Sequence, residues 1–184
     1  MFDAYQIKTL AAPTFTLQPL LASHATELFE LLHDHSLYQF VPQDPPKTLV
    51  DLQDRYRRLQ TRRSPSGHEL WLNWIIQVDQ SAAGLVQVTC NKASQAFVAY
   101  ELFDAFRGRG LATKAVQLML QHIAKDTEIK TALAYVDTRN TRSIRILERL
   151  GFTQMRKIEG ADYFKGTVSD EYEYQRPLSL SFSP

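Results

Sequence analysis

The chain has 184 residues, 44% hydrophobic and 22% charged, and its 21 basic and 20 acidic side chains leave a formal charge of +1. That length suits one compact domain with a well-filled core, and so near-neutral a balance excludes a global affinity for nucleic acid or another polyanion. The lone Cys90 excludes an intrachain disulfide, and no stretch is apolar enough to span a membrane; Met1 to Gln6 lack the features of a secretory leader, so a cytoplasmic protein is expected.

Thr14 to Gln18 alternates in character and predicts a first strand, stopped by Pro19. Ser23 is expected to cap a helix with Leu28, Leu31 and Leu32 as its apolar stripe. Ser36 to Lys47 carries Tyr38, Phe40, Pro42, Pro45 and Pro46 and reads as a connecting loop with anchoring aromatics, which either lies beside a site and meets the substrate or merely closes the core with Tyr38 and Phe40. Thr48 to Arg63 predicts a helix capped by Thr48, with Leu49, Leu52, Tyr56 and Leu59 on one face. Its basic end, Arg55, Arg57, Arg58, Arg62 and Arg63, reads as a solvated face favoured by the helix dipole. After the breaker Ser64 to Gly67, Leu70 to Val78 and Leu85 to Cys90 predict an antiparallel hairpin joined by Asp79 to Gly84, in a sheet covered by helices.

Asn91 to Gln95 is a turn, and Ala96 to Phe103 a strand leading into Arg107-Gly108-Arg109-Gly110-Leu111-Ala112-Thr113. Leu111, Ala115, Leu118, Met119 and His122 then recur at helical spacing as far as about Lys125. Ile129 to Val136 follows as a strand that looks buried on both faces. Strand, helix, strand with this crossover predicts a right-handed βαβ unit, hence one parallel pair within an otherwise antiparallel sheet, and ligands favour the carboxyl end of such strands. Asn140 to Leu150 predicts a short helix with Ile144, Leu147 and Leu150 inward and Gly151 as its stop. Phe152 to Ile158 and Glu171 to Leu178 are the arms of a last hairpin, linked by a polar loop with Gly160, Asp162, Tyr163 and Gly166, before a loosely ordered tail, Ser181 to Pro184.

The glycine-rich turn from Arg107 to Thr113 reads as an anion cradle. It opens a helix, where unpaired N–H groups and the positive dipole end converge, and glycine lets an anion approach the main chain. A dinucleotide fingerprint is excluded by Thr113 in place of the third glycine and by the lack of an acidic residue about 20 positions on. A P-loop is excluded because no segment reads G-x-x-x-x-G-K-[S/T]. The five histidines do not cluster, so no metal is expected.

Arg107, Gly110 and Ala112 fill the three specified places of R/Q-x-x-G-x-G/A, and Asn140 opens a helix that ends in Leu150-Gly151-Phe152. These two motifs resemble those of the GNAT N-acetyltransferase family, most of all its ribosomal-protein N-terminal acetyltransferase (RimJ/RimL-like) subgroup. The resemblance implies an α+β fold: a mixed, mostly antiparallel twisted sheet of about seven strands flanked by helices, with one parallel βαβ splay. It implies a single domain over 1–184, with a core of about 14–178, that transfers an acetyl group from acetyl-CoA to a primary amine by direct attack in a ternary complex.

Residue by residue, the resemblance implies that main-chain N–H groups of Arg107, Gly108, Arg109, Gly110, Leu111, Ala112 and Thr113 hold the pyrophosphate, with the Thr113 hydroxyl in reach. Leu102 and Phe103 would meet the cofactor through their backbone, Asn140 would bond the pantetheine arm, and Arg145 or Arg149 the 3′-phosphate. Leu147 stands where many members have an acidic tyrosine, which leaves Ser143, on the cofactor-facing side, as the substitute acid. Glu101 is the candidate base, direct or through water; Tyr100 points to the opposite face. The expected partner is an amine acceptor, a protein N-terminus or a small molecule, with no membrane, no nucleic acid, and a homodimer allowed. The competing reading is a non-catalytic acyl-CoA-binding or ribosome-associated module using the Arg55 to Arg63 face.

Overall fold

The structure, a computed structural model, describes residues 5–178; the expected loose tail, Ser181 to Pro184, lies outside the described residues. Among the described residues eight strands form one sheet: β1 Leu10–Ala12, β2 Phe15–Pro19, β3 Glu69–Val78, β4 Ser81–Asn91, β5 Gln95–Leu102, β6 Thr131–Asp137, β7 Thr153–Phe164 and β8 Thr167–Pro177. Their spatial order is β1-β2-β3-β4-β5-β6-β8-β7, and every neighbouring pair is antiparallel except β5 and β6. The helices are α1 Ala25–Leu28, α2 Leu49–Gln60, α3 Leu111–Asp126 and α4 Thr141–Arg149. The strand beyond the seven expected is β1, whose 3 residues are too few to show a period.

Side-chain alternation divides the core into two layers. Leu72, Trp74 and Ile76 of β3, Val86 and Val88 of β4, and Ala96 and Val98 of β5 pack with Ala115, Met119 and Ile123 of α3 and Leu147 of α4. Ile75 of β3 points the other way and packs with Leu28 of α1, Leu52 and Tyr56 of α2, and Phe103. This second layer stops near Leu85. Beyond it Gln87, Ala99 and Tyr135 are exposed, so the expectation of a sheet covered by helices holds on the α3 face and fails over part of the α2 face. For the same reason β6 is not buried on both faces: Tyr135 is exposed and stacks on Phe97, ring centroids 6.3 Å apart.

Several element bounds differ from expectation for local reasons. Ser23 does not cap a helix; it lies within a 3₁₀ turn, Ala22–His24, and the Leu21 N–H donates to His24 Nδ1 at 3.0 Å instead. The expected first helix is 4 residues of α1 between 3₁₀ turns, which bury Leu28 and Leu32 and leave Leu31 exposed. α2 begins as expected, with the Asp51 N–H donating to Thr48 Oγ1 at 3.1 Å, and ends at Gln60. Arg62 adopts φ 63 and donates to Leu20 O at 2.6 Å, so the basic run does not share one solvated face. The β3–β4 turn is only Asp79-Gln80, both left-handed, and Ser81 to Gly84 belong to β4. In the last hairpin the expected loop is continuous strand, closed at left-handed Lys165-Gly166; a ribbon exposed along most of β7 needs no apolar alternation to pair.

Candidate active site

The parallel pairing of β5 with β6 covers Gln95↔Thr131, Ala96↔Ala132 and Phe97↔Leu133 and then ends, although β5 continues to Leu102 and β6 to Asp137. The strands part into a cleft at their carboxyl ends. On the other edge of β5 the Phe103 N–H donates to Ala83 O at 3.0 Å, which fixes the pleat. Main-chain groups of Glu101 and Phe103 therefore turn to β4, and those of Val98, Tyr100 and Leu102 turn to the cleft. Leu102 O accepts from Arg107 Nε at 2.9 Å. Of the two expected backbone contacts, Leu102 faces the cleft, whereas the Phe103 N–H is engaged with β4.

The cradle lies at the mouth of this cleft. Gly108 and Gly110 have φ 79 and 72, and a Cβ at either would meet nothing within 4 Å, so glycine here serves the left-handed backbone and leaves open space above the loop. Gly110 is the N-cap of α3 with no side-chain cap, and the helix's first main-chain bond is Lys114 N to Gly110 O at 3.2 Å. The N–H groups of Leu111, Ala112 and Thr113 thus have no partner within the helix. Uncapped donors at the positive end of a 16-residue helix, with open space before them, fit a pyrophosphate. Arg107 lies outside this array. Its N–H donates to Asp104 O at 3.1 Å, and its guanidinium reaches Ser36 Oγ at 3.1 Å and Asp104 Oδ1 at 3.2 Å, bracing the loop against the chain that precedes α2. Arg109 is exposed.

The second motif forms the cleft's far wall. The Ser143 N–H donates to Asn140 Oδ1 at 3.1 Å, capping α4. The Tyr100 hydroxyl is 2.8 Å from Ser143 Oγ and donates to Ser143 O at 3.1 Å, joining β5 to α4. Burial raises the Tyr100 pKa to about 12, so it remains a neutral phenol at physiological pH. Leu147 is 1% exposed, and its carbonyl accepts from the Phe152 N–H at 3.0 Å in the left-handed stop at Gly151, so this place holds core rather than a proton donor. Arg145 and Arg149 are exposed on α4.

Asp137, which the sequence reading passed over, fixes the turn before Asn140. Its carboxylate takes Arg139 Nε at 2.9 Å, the Arg139 N–H at 2.8 Å and Ser169 Oγ at 2.7 Å, and its carbonyl takes the Asn140 N–H at 2.9 Å. These hydrogen bonds, led by that of Arg139, lower its pKa to about 2. Gly84 was read as part of a turn, yet it stands opposite Leu102 and lets β4 and β5 approach closely; the signal was a glycine heading an apolar strand.

Glu101 projects from β5 on the α2 face, opposite Leu85, which packs against the cluster containing Tyr56 and Phe103. Burial raises its pKa, and the nearby Arg55 and Arg107 guanidinium groups act against that rise. Tyr100 and Glu101 thus occupy opposite faces of one strand. Among the described residues, no group of three or more His, Cys, Asp or Glu is placed to hold a metal ion, and no helix is long and apolar enough to cross a membrane.

A mixed sheet whose single parallel pair splays at an uncapped, glycine-led helix is the fold of an acyl-group transferase. A family model described as "Acetyltransferase (GNAT) domain" matches residues 14–153. The "Probable N-acetyltransferase YjcK" of Bacillus subtilis is 34% identical over 68 residues, a match spanning 37% of this chain and 38% of that protein's length. A solved RimL ribosomal L7/L12 alpha-N-protein acetyltransferase in complex with coenzyme A superposes with a TM-score of 0.86 at 18% identity, over 95% of this chain and 100% of that one. The microcin C7 self-immunity acetyltransferase MccE, solved with acetyl-CoA and AMP, gives 0.79 at 21% identity, over 90% of this chain and 93% of that one. At these identities the structural likeness is one of fold. The chain belongs to the GNAT acetyltransferase family.

Proposed function

We propose that the protein transfers the acetyl group of acetyl-CoA to a primary amine, a protein N-terminus or a small-molecule amine, in a ternary complex. The observation that carries this reading is the uncapped N–H array of Leu111, Ala112 and Thr113, opened by Gly110, at the mouth of the splayed β5–β6 cleft. Coenzyme A in the RimL structure and acetyl-CoA in the MccE structure support the choice of donor. The same fold in those two proteins leaves the acceptor to be decided by this chain's own α2 face.

The array holds the pyrophosphate, and Asn140 together with the cleft-facing main chain of β5 aligns the arm that carries the thioester. On the α2 face, Glu101 takes a proton from the acceptor's ammonium, directly or through water; its raised pKa brings it closer to the amine's and makes it a better base than an ordinary carboxylate. The neutral amine forms the C–N bond at the thioester carbonyl as the C–S bond breaks, and the extra proton on the new amide nitrogen passes to the departing sulfur, directly or through water. Sulfur leaves near its thiolate form, since a free thiol has a pKa near ~8.5; when the Tyr100 proton turns from Ser143 O to Ser143 Oγ, 2.8 Å away, the Ser143 hydroxyl is free to donate to the sulfur. Positioning and one base carry the chemistry without the acidic tyrosine that Leu147 replaces.

The test is calorimetry of the purified full chain with acetyl-CoA, followed by CoA-thiol release and mass-spectrometric detection over a panel of free-amine peptides, polyamines and aminoglycosides. Binding is expected, with loss in Gly110→Glu, and one acetyl group appears on an acceptor. Absence of acetyl-CoA binding overturns the reading. Binding without turnover on any amine supports the non-catalytic acyl-CoA module instead.

A further inference from the structure

Tyr56 is 3% exposed on α2, and its Oη is buried with no hydrogen-bond partner among the described residues. A buried hydroxyl without a partner is costly and rare in folded proteins. Its neighbours show what is missing. Tyr38, the other phenol on this side, spends its hydroxyl on Leu32 O at 2.9 Å. Glu101 stands on the same face, opposite Leu85, which packs against the cluster that Tyr56 shares with Phe103. The Glu101 charge is felt at both phenols, and that of Arg55 at all three groups. One buried phenol oxygen is thus left without a partner on the face that carries the Glu101 carboxylate, close enough to feel its charge.

We propose that Tyr56 Oη and the Glu101 carboxylate together hold the acceptor's primary ammonium, so that Tyr56 is an acceptor-binding residue and the pocket selects a cationic primary amine. An ammonium has three donors and no acceptor, so it satisfies both oxygens at once and keeps one N–H for solvent or its own chain. A neutral or anionic nucleophile leaves Glu101 unsatisfied or repelled. Arg55, exposed at the rim, disfavours a second positive charge close to the first and favours an acceptor whose next group is neutral or acidic.

This inference rests on the acetyltransferase reading for its chemistry, and its test is arranged to fail separately. Free-amine peptides, polyamines and aminoglycosides are titrated into wild type and Tyr56→Phe, with and without CoA, and CoA itself into both. Tyr56→Phe removes one atom and leaves the ring packed. It is expected to bind the best wild-type amine about tenfold more weakly, the equivalent of one lost hydrogen bond to a charged group, with unchanged CoA affinity and an unfolding midpoint equal to or above wild type. A purely structural role for the hydroxyl predicts no change in amine affinity, and that result overturns the inference. So does wild type that takes CoA but none of the amines. Wild type that takes amines but no CoA refutes the acetyltransferase reading and leaves the ammonium pocket standing.

Discussion

Gly84→Ala tests how the site is held in place. Gly84 lies opposite Leu102, and a Cβ built there falls 2.1 Å from Glu101 O and 2.9 Å from both Leu102 Cα and Leu102 Cδ2. Ordinary contact begins near 3.4 Å. The nearest atoms are main chain, so no rotamer change relieves the overlap, and β5 must retreat from β4 by on the order of 1 Å. Overpacking of this kind costs about 3 kcal/mol, the upper part of its usual range, because the strand on each side is already buried. For a chain of this size that lowers the unfolding midpoint by about 6–12 °C. The retreat carries Glu101 and the cleft-facing main chain of Leu102 with it, and a misplacement of ~1 Å at reacting groups costs on the order of 100-fold in turnover. Scanning calorimetry and CoA-thiol release on the same preparation read both effects. An alanine variant with wild-type midpoint and turnover would refute the reasoning, because it would show that β4 and β5 are not held together at this point.

Asp137 predicts an acid limb in stability. Its folded pKa, lowered to about 2, lies below the unfolded value of about 3.9, so its stabilisation is complete above the unfolded value and is lost as pH falls through the folded one. Solvent around the half-exposed Arg139 limits this to about 2 kcal/mol, and urea unfolding from pH 5 to pH 2 should show that loss in wild type and not in Asp137→Asn; parallel curves would remove Asp137 as the cause. Ser143→Ala should lower turnover more than acetyl-CoA affinity, and equal losses in both would reduce Ser143 to a cofactor contact.

The parts of the fold that repeat were legible in the sequence, and the parts that depend on a single contact were not. Apolar runs such as Leu70 to Val78 and the helical spacing of Leu111, Ala115 and Met119 predicted their elements because burial on a period imposes a pattern on composition. The βαβ crossover followed from those elements, and the β5–β6 pair is parallel as expected. β1 failed because 3 residues have no period, and the long last hairpin because β7 pairs through main chain while most of its side chains face water. Around the cleft, the cradle's glycines announced themselves by type. Tyr56 did not: its place in an apolar stripe describes the ring and is silent about the hydroxyl. Nor did Gly84: read as part of the turn from Asp79, it lay outside the expected strand, so the sequence offered no strand residue to pair with Leu102.

Arg107 shows why a motif residue and its role must be separated. A cation beginning a phosphate loop invites the reading that its charge meets the phosphate, yet its guanidinium bonds Leu102 O, Ser36 Oγ and Asp104 Oδ1, and lies 3.8 Å from Asp34 Oδ2. Each partner lies on a different part of the cleft: the end of β5, the turns that precede α2, and the 3₁₀ turn that enters the cradle. The arginine therefore holds the glycine-rich loop and the chain that precedes α2 to the same strand end. A lysine would keep the charge but lose the planar fork that reaches several acceptors at once. On the proposed reading the phosphate's charge is then left to the N–H groups that open α3 and to the exposed Arg109. In the proposed reaction β5 would serve both substrates by parity alone: its Tyr100 side turns to Ser143, where the donor is proposed to lie, its Glu101 side to the α2 face proposed for the acceptor, and one strut at its end keeps the two halves in register.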